Sequence, residues 1–143
     1  MEIVQKMQVP AEFLYETIIN SVLADIESQT EKKIPEKQLE GFEYTKTFSK
    51  HAKATLRIEE ARKNESYAYR TTSNKNDFLV SYQIRPIDNE SCELHYNETM
   101  KSFGFLQNMN DTIFGLFLSP MKKKRFKQML KQIEAAYFNK AEG

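Results

Sequence analysis

Cysteine, histidine, glycine and proline are all scarce in this chain. Cys92 is the only cysteine among 143 residues, which excludes an intrachain disulfide. His51 and His95 are the only histidines, and they share no metal-ligand spacing with that cysteine. No metal or other cofactor is therefore expected. Four glycines and four prolines leave no stretch with the composition of a long flexible linker. There is no Gly-rich phosphate loop, no Gly-x-Ser-x-Gly elbow, no internal repeat and no low-complexity segment. Long apolar runs are missing too. Gln107, Asn108, Asn110 and Asp111 interrupt the one candidate, which stays short of the roughly 18 apolar residues of a membrane span. "MEIVQKMQVP" holds no apolar run of signal-peptide length, so the cytoplasm is the expected compartment. The sequons beginning at Asn64, Asn89, Asn97 and Asn110 are then chance matches.

What is present suits one domain over residues 1–143, with 40% apolar and 29% charged residues. Net charge is +1, which gives no global pull toward nucleic acid, and none is expected as a partner. The charge is unevenly spread. Met1 to Thr45 holds nine acidic and four basic residues, whereas Met121 to Gly143 holds two acidic and seven basic. Ends of opposite sign favour contact within one molecule or between copies, so a monomer and a homodimer both remain open.

Periodicity defines the elements. Ile3, Met7 and Val9 keep a two-residue period and suggest a first strand. Pro10 ends it and suits the first turn of a helix. Leu14, Ile18, Val22 and Ile26 then recur every fourth position, widened by Tyr15 and Ile19, as in an amphipathic helix lying on a core. "IPEKQLEG" reads as a short second helix with Gly41 as its cap. Five strands follow. They bring Phe42, Tyr44, Lys46 and Phe48 to one face, then Ala54, Leu56 and Ile58, then Tyr67, Tyr69 and Thr71. Phe78, Val80, Tyr82 and Ile84, and then Cys92, Leu94, Tyr96, Glu98 and Met100, complete the series. Polar residues alternate with them, and the connections are short, so neighbours are predicted to pair as hairpins in a sheet solvated on one side. Ser119 and Pro120 open a last helix carrying the stripe Phe126, Met129, Leu130, Ile133 and Tyr137. The order predicts an α+β fold in which one curved antiparallel sheet carries helices on its inner face.

That order, with "VPAEFLYETI" at the first strand-to-helix junction, resembles the START-like superfamily, also called SRPBCC or helix-grip. "QLEGFEYTKTFSK" and "KKKRFKQMLKQIE" further resemble a family of small bacterial proteins known as a domain of unknown function, DUF3284. The resemblance implies a curved antiparallel sheet wrapped around a long C-terminal helix, with two helices between the first and second strands. It also implies a cavity between sheet and helix. Many relatives bind apolar or amphipathic molecules, some are cyclases, and others regulate partners. No catalytic residue carries over.

The chemistry concentrates on the predicted inner face. Gln5, Lys46, Thr71 and Glu98 stand where the alternation calls for apolar residues, and Tyr44, Tyr67, Tyr69, Tyr82 and Tyr96 bring phenols to the same side. Buried phenols need hydrogen-bond partners, and a buried charge must be paired or solvated. A wet or ligand-filled cavity accommodates such a set, as does placement at strand ends near the sheet rim. These residues are the candidate ligand contacts, and Lys46 with Glu98 is a candidate pair across the cavity. His51 reads as a turn residue, His95 as a solvent-side residue and Cys92 as a buried thiol.

The segment Ile113 to Leu118 is almost wholly apolar, and five of the six residues from Lys122 to Lys127 are basic. Six apolar residues are too few to cross a bilayer. The segment reads as a lid closing the cavity, with Phe114 and Phe117 as contacts; peripheral membrane attachment is the rival and is not expected. Lys123, Lys127 and Lys131 line one outer helix face. Three functions follow: a binder of a small apolar or amphipathic molecule, an interaction or regulatory module using the basic helix, and a cyclase-like enzyme using Lys46, Glu98 and the tyrosines. The first is preferred, and no catalysis is assigned.

Overall fold

The computed structural model describes residues 1–50, 52–73, 76–102 and 120–142. Strand β1 (Glu2–Met7) leads into helix α1 (Ala11–Thr30). A 3-10 turn (Glu36–Gln38) precedes strands β2 (Glu43–Ser49), β3 (Ala52–Arg62), β4 (Ser66–Thr72), β5 (Asn76–Pro86) and β6 (Cys92–Ser102). Helix α2 (Pro120–Glu142) follows. The six strands form one antiparallel sheet in the order β1-β6-β5-β4-β3-β2. Consecutive strands β2 to β6 pair as hairpins, and β1 returns to pair with β6. Register shifts at Thr47/Ser49 and Ile58/Glu60 mark irregularities of the β-bulge type, which bend and twist a sheet.

Helix α1 forms because its apolar residues keep helical spacing. Leu14, Tyr15, Ile18, Ile19, Val22 and Ile26 are all buried. Pro10 stands one place earlier than expected, at the extended N-cap position, and its carbonyl accepts from Leu14 N–H at 3.1 Å. The helix ends at Glu31, a non-glycine residue with φ 62°, whose N–H donates to the Glu27 carbonyl at 2.8 Å. The second predicted helix is only the 3-10 turn. Leu39 becomes fully buried there, and the chain turns through Gly41 at φ 84°. Gly41 N–H then donates to the Ile58 carbonyl at 2.7 Å, and Ile58 N–H donates to Phe42 at 2.8 Å. Pairing with β3 thus claims the backbone groups that a longer helix would use.

The core lies between the inner sheet face and the helices. Ile3, Met7, Leu56, Ile58, Val80, Ile84 and Leu94 are buried there. Among the α2 residues whose burial is described, Phe126 and Leu130 are buried; Ile133 and Tyr137 are half-buried and Met129 is 38% exposed. The two helices touch through Phe13 and Tyr137, whose rings are 4.8 Å apart, edge to face. Glu134 fixes the same region by accepting from Gln8 N–H at 2.8 Å. The outer sheet face is polar: Arg70 on β4 reaches Glu59 on β3 at 3.1 Å and Asp77 on β5 at 2.5 Å.

Candidate functional site

Register determines which inner residues meet. Tyr67 stands opposite Tyr82, and Tyr82 opposite Tyr96, so three phenols cross three strands in one row. Their rings follow at 5.7 and 4.9 Å, and Phe126 of α2 closes the row 4.1 Å from Tyr96. The next row runs from Tyr69 through Val80 to Glu98. The row beyond carries buried Thr71 opposite Phe78. Tyr67 and Tyr96 are buried, while Tyr69 and Tyr82 are half-buried.

Two charged groups flank these rows. At the β6 side, Glu98 has a fully buried side chain, and its Oε1 lies 3.0 Å from Lys122 Nζ of α2. The Tyr96 hydroxyl donates to the same oxygen. At the β2 side, Asp25 of α1 accepts from the Tyr44 hydroxyl at 2.5 Å, and Lys46 Nζ lies 3.1 Å from the same carboxylate oxygen. Lys46 also stands 5.5 Å over the Phe48 ring. Each end is therefore a tyrosine, a carboxylate and a lysine converging on one oxygen. Lys46 and Glu98 do not pair with each other. They occupy β2 and β6, which β3, β4 and β5 separate, and each has found a partner on a helix instead.

Between the two ends, polar capacity is left over. The hydroxyls of Tyr67, Tyr69 and Tyr82 have no hydrogen-bond partner among the described residues, in contrast to Tyr44 and Tyr96. Glu98 Oε2 is buried and also lacks a partner. All of these phenols are held protonated. Burial raises the pKa of Tyr69 and Tyr82 above the ordinary phenol range, and the negative charge of Glu98 adds to it. Burial acts in the same way on Tyr67 and Tyr96, with the neighbouring phenols next in order. The face thus offers neutral hydroxyls and one free carboxylate oxygen, framed by aromatic rings.

Of the expected contacts, Tyr44, Lys46, Tyr67, Tyr69, Thr71, Tyr82, Tyr96 and Glu98 lie on this inner face. Gln5 is half-buried, and its Nε2 donates to the adjacent Lys6 carbonyl at 3.2 Å. Phe114, Phe117 and the whole segment Ile113 to Leu118 lie outside the described residues, as do His51 and Ser119. His95 stands on the outer face, 2.6 Å from Glu93. Among the described residues no cluster of His, Cys, Asp or Glu is placed to hold a metal, and no helix is long and apolar enough to cross a membrane. Two members of the site escaped the sequence reading, Asp25 and Lys122. Both stand on apolar helix stripes, Asp25 seven residues after Ile18 and Lys122 four before Phe126, and a charge on such a stripe is the signal that finds them.

A curved antiparallel sheet holding a C-terminal helix against its inner face is the helix-grip, START-like fold. The chain belongs to the family described as a domain of unknown function, DUF3284, whose model matches residues 1–119. Helix α2, with Lys122 and Phe126, lies beyond the matched part. No curated protein matches the chain significantly. Solved structures are similar in fold. Norcoclaurine synthase from Thalictrum flavum, in complex with dopamine and hydroxybenzaldehyde, has a TM-score of 0.59 at 10% identity, over 97% of this chain and 86% of that one. Protein MLL2253 from Mesorhizobium loti has a TM-score of 0.56 at 14% identity, over 93% and 96%. Protein CV1439 from Chromobacterium violaceum has 0.55 at 15%, over 94% of each.

Proposed function

We propose that this protein binds a small amphipathic molecule between the inner sheet face and α2, and that it acts by holding the molecule rather than transforming it. The observation that carries this reading is Glu98 Oε2, a buried carboxylate oxygen with no partner among the described residues, on a face shared with the phenols of Tyr67, Tyr69 and Tyr82. Buried polar atoms are normally hydrogen-bonded, and each exception calls for a partner. Aromatic walls with a few convergent polar groups are the ordinary make-up of a small-molecule site. In norcoclaurine synthase the same fold holds two small aromatic molecules, dopamine and hydroxybenzaldehyde. A catalytic Lys46–Glu98 couple finds no support, because each group is tied to another partner.

Titration with the uncharged dye N-phenyl-1-naphthylamine tests the reading. Saturable one-site binding is expected, with competition by whatever small molecule native mass spectrometry finds retained after gentle purification. Non-saturable dye uptake and a bare mass would mean that the inner face is filled by the protein itself. The exposed basic face of α2, at Lys123, Lys127 and Lys131, would then be the better lead to a protein partner.

A further inference from the structure

We propose that the occupant of this face is uncharged and presents a hydrogen-bond-donating head, an alcohol or a phenol, in preference to a carboxylate or an amine. This rests on the binding reading above and sharpens it. The site holds two carboxylates, Asp25 and Glu98, and each has a lysine beside it, at 3.1 Å and 3.0 Å. Each end thus sets one lysine against one carboxylate. An anionic head would meet a carboxylate at either end, with both lysines already engaged. A cationic head would have to compete with Lys122 for a carboxylate already neutralised. A buried charge without a counter-charge of its own is among the costliest things a protein interior can hold. An uncharged head meets neither penalty.

Hydrogen bonding favours the same head. Lys122 and Tyr96 both direct donors at Glu98 Oε1, and such convergence of donors suits a carboxylate, which only accepts. Oε2 of the same group is buried and has no donor among the described residues. What the face lacks at this point is one donor. On the same face stand Tyr82, diagonal to Glu98 across β5 and β6, and Tyr69, two strands away on β4; both phenols remain protonated, being pushed up by burial and by Glu98, and can both give and accept hydrogen bonds. A hydroxyl head fits: its proton goes to Oε2 and its oxygen accepts from a neighbouring phenol. An ether fills the space but leaves Oε2 unsatisfied.

Four size-matched fluorescent probes test this with the full chain at neutral pH: 2-naphthol, 2-methoxynaphthalene, 2-naphthoate and 2-naphthylmethylammonium. The expected order places 2-naphthol first, on the order of tenfold tighter than its methyl ether, which is the worth of one hydrogen bond to a charged acceptor. Both charged probes should bind more weakly than 2-naphthol. In Glu98→Gln the buried carboxylate that an anionic head would meet is gone, so 2-naphthoate should gain on 2-naphthol. Circular dichroism checks that this variant folds, and the wild-type ranking stands as a test without it. Equal affinity for 2-naphthol and its ether sinks the proposal while leaving the binding reading intact, as does a charged probe in first place. No binding by any of the four sinks both.

Discussion

Lys122, in the first turn of α2, sets its Nζ 3.0 Å from a carboxylate whose side chain is wholly buried, that of Glu98 on β6. A cation in the first turn of a helix opposes the helix dipole. Here it is offset by a buried carboxylate on the inner sheet face, which also accepts from the Tyr96 hydroxyl. Phe126 packs on the Tyr96 ring one helical turn later. The ion pair and the ring contact together fasten the start of the helix to the strand.

Removing one partner should therefore cost more than removing both. Lys122→Met leaves Glu98 buried without its cation. A broken buried pair costs about 3–5 kcal/mol; the Lys122 side chain is 33% exposed, so the share lost here should be smaller, about 2–3 kcal/mol in urea unfolding. The double variant Glu98→Leu with Lys122→Met removes both charges. It should return to within about 1 kcal/mol of wild type, the residue being the Tyr96 hydroxyl left without its acceptor. A Lys122→Met variant as stable as wild type would show that Glu98 takes no stability from this cation.

Much of this site was legible in the sequence, and the reason is the two-residue period of strands. Once Tyr67, Tyr69, Tyr82, Tyr96 and Glu98 were placed in strands, their common face followed without any knowledge of pairing. Pairing itself did not follow. Lys46 and Glu98 looked like natural partners because both break an apolar alternation, but the sheet order puts three strands between theirs. Their true partners come from helices, and helix-to-sheet contacts depend on how the sheet curls, which residue spacing does not encode. The short "IPEKQLEG" helix is held to one 3-10 turn for a related reason. Its helical signals are local, and the bonds of Gly41 and Phe42 to Ile58 are not.

The tyrosines predict the alkaline behaviour. Burial raises the phenol pKa of Tyr44, Tyr67, Tyr69, Tyr82 and Tyr96 in the fold, and it pushes Tyr15 up to about 12, with Glu36 and Glu40 adding to it. In the unfolded chain a phenol ionises at about pH 10. Below that pH both states keep the proton and this stability is fully present. Above it the unfolded state releases protons that the folded state retains, so stability falls as pH climbs toward the folded values. Phenolate absorbance should thus rise cooperatively, together with loss of circular dichroism. A smooth non-cooperative titration of these six tyrosines with the fold intact would contradict their raised pKa values.

On α2 the burial of neighbouring residues predicts a sharp contrast. Leu130 is 2% exposed and Met129 is 38% exposed. Leu130→Ala removes buried methyl groups and leaves a cavity, at a cost of about 2–5 kcal/mol. Met129→Ala should stay within about 0.5 kcal/mol, as surface changes do. Similar losses for the two would mean that the helix is rotated relative to the sheet.

Cys92 gives a probe of how tightly the far end of α2 is held. The residue is fully buried on β6, opposite Met7 on β1 and Pro86 on β5. Burial, with Glu134 of α2 adding its charge, pushes the thiol up to about 11. Only thiolate attacks a disulfide reagent, and at about pH 8 very little is present. Labelling by Ellman's reagent should then require the fold to open. Glu134 is the residue that ties α2 to the β1–α1 junction through Gln8, so loosening the helix should expose this thiol. The expected result is slow labelling of the wild type and faster labelling of Leu130→Ala, in proportion to its lost stability, because modification follows the population of the open form when reclosing is fast. Rapid labelling of the native wild type, unchanged by Leu130→Ala, would place Cys92 outside the region that α2 protects.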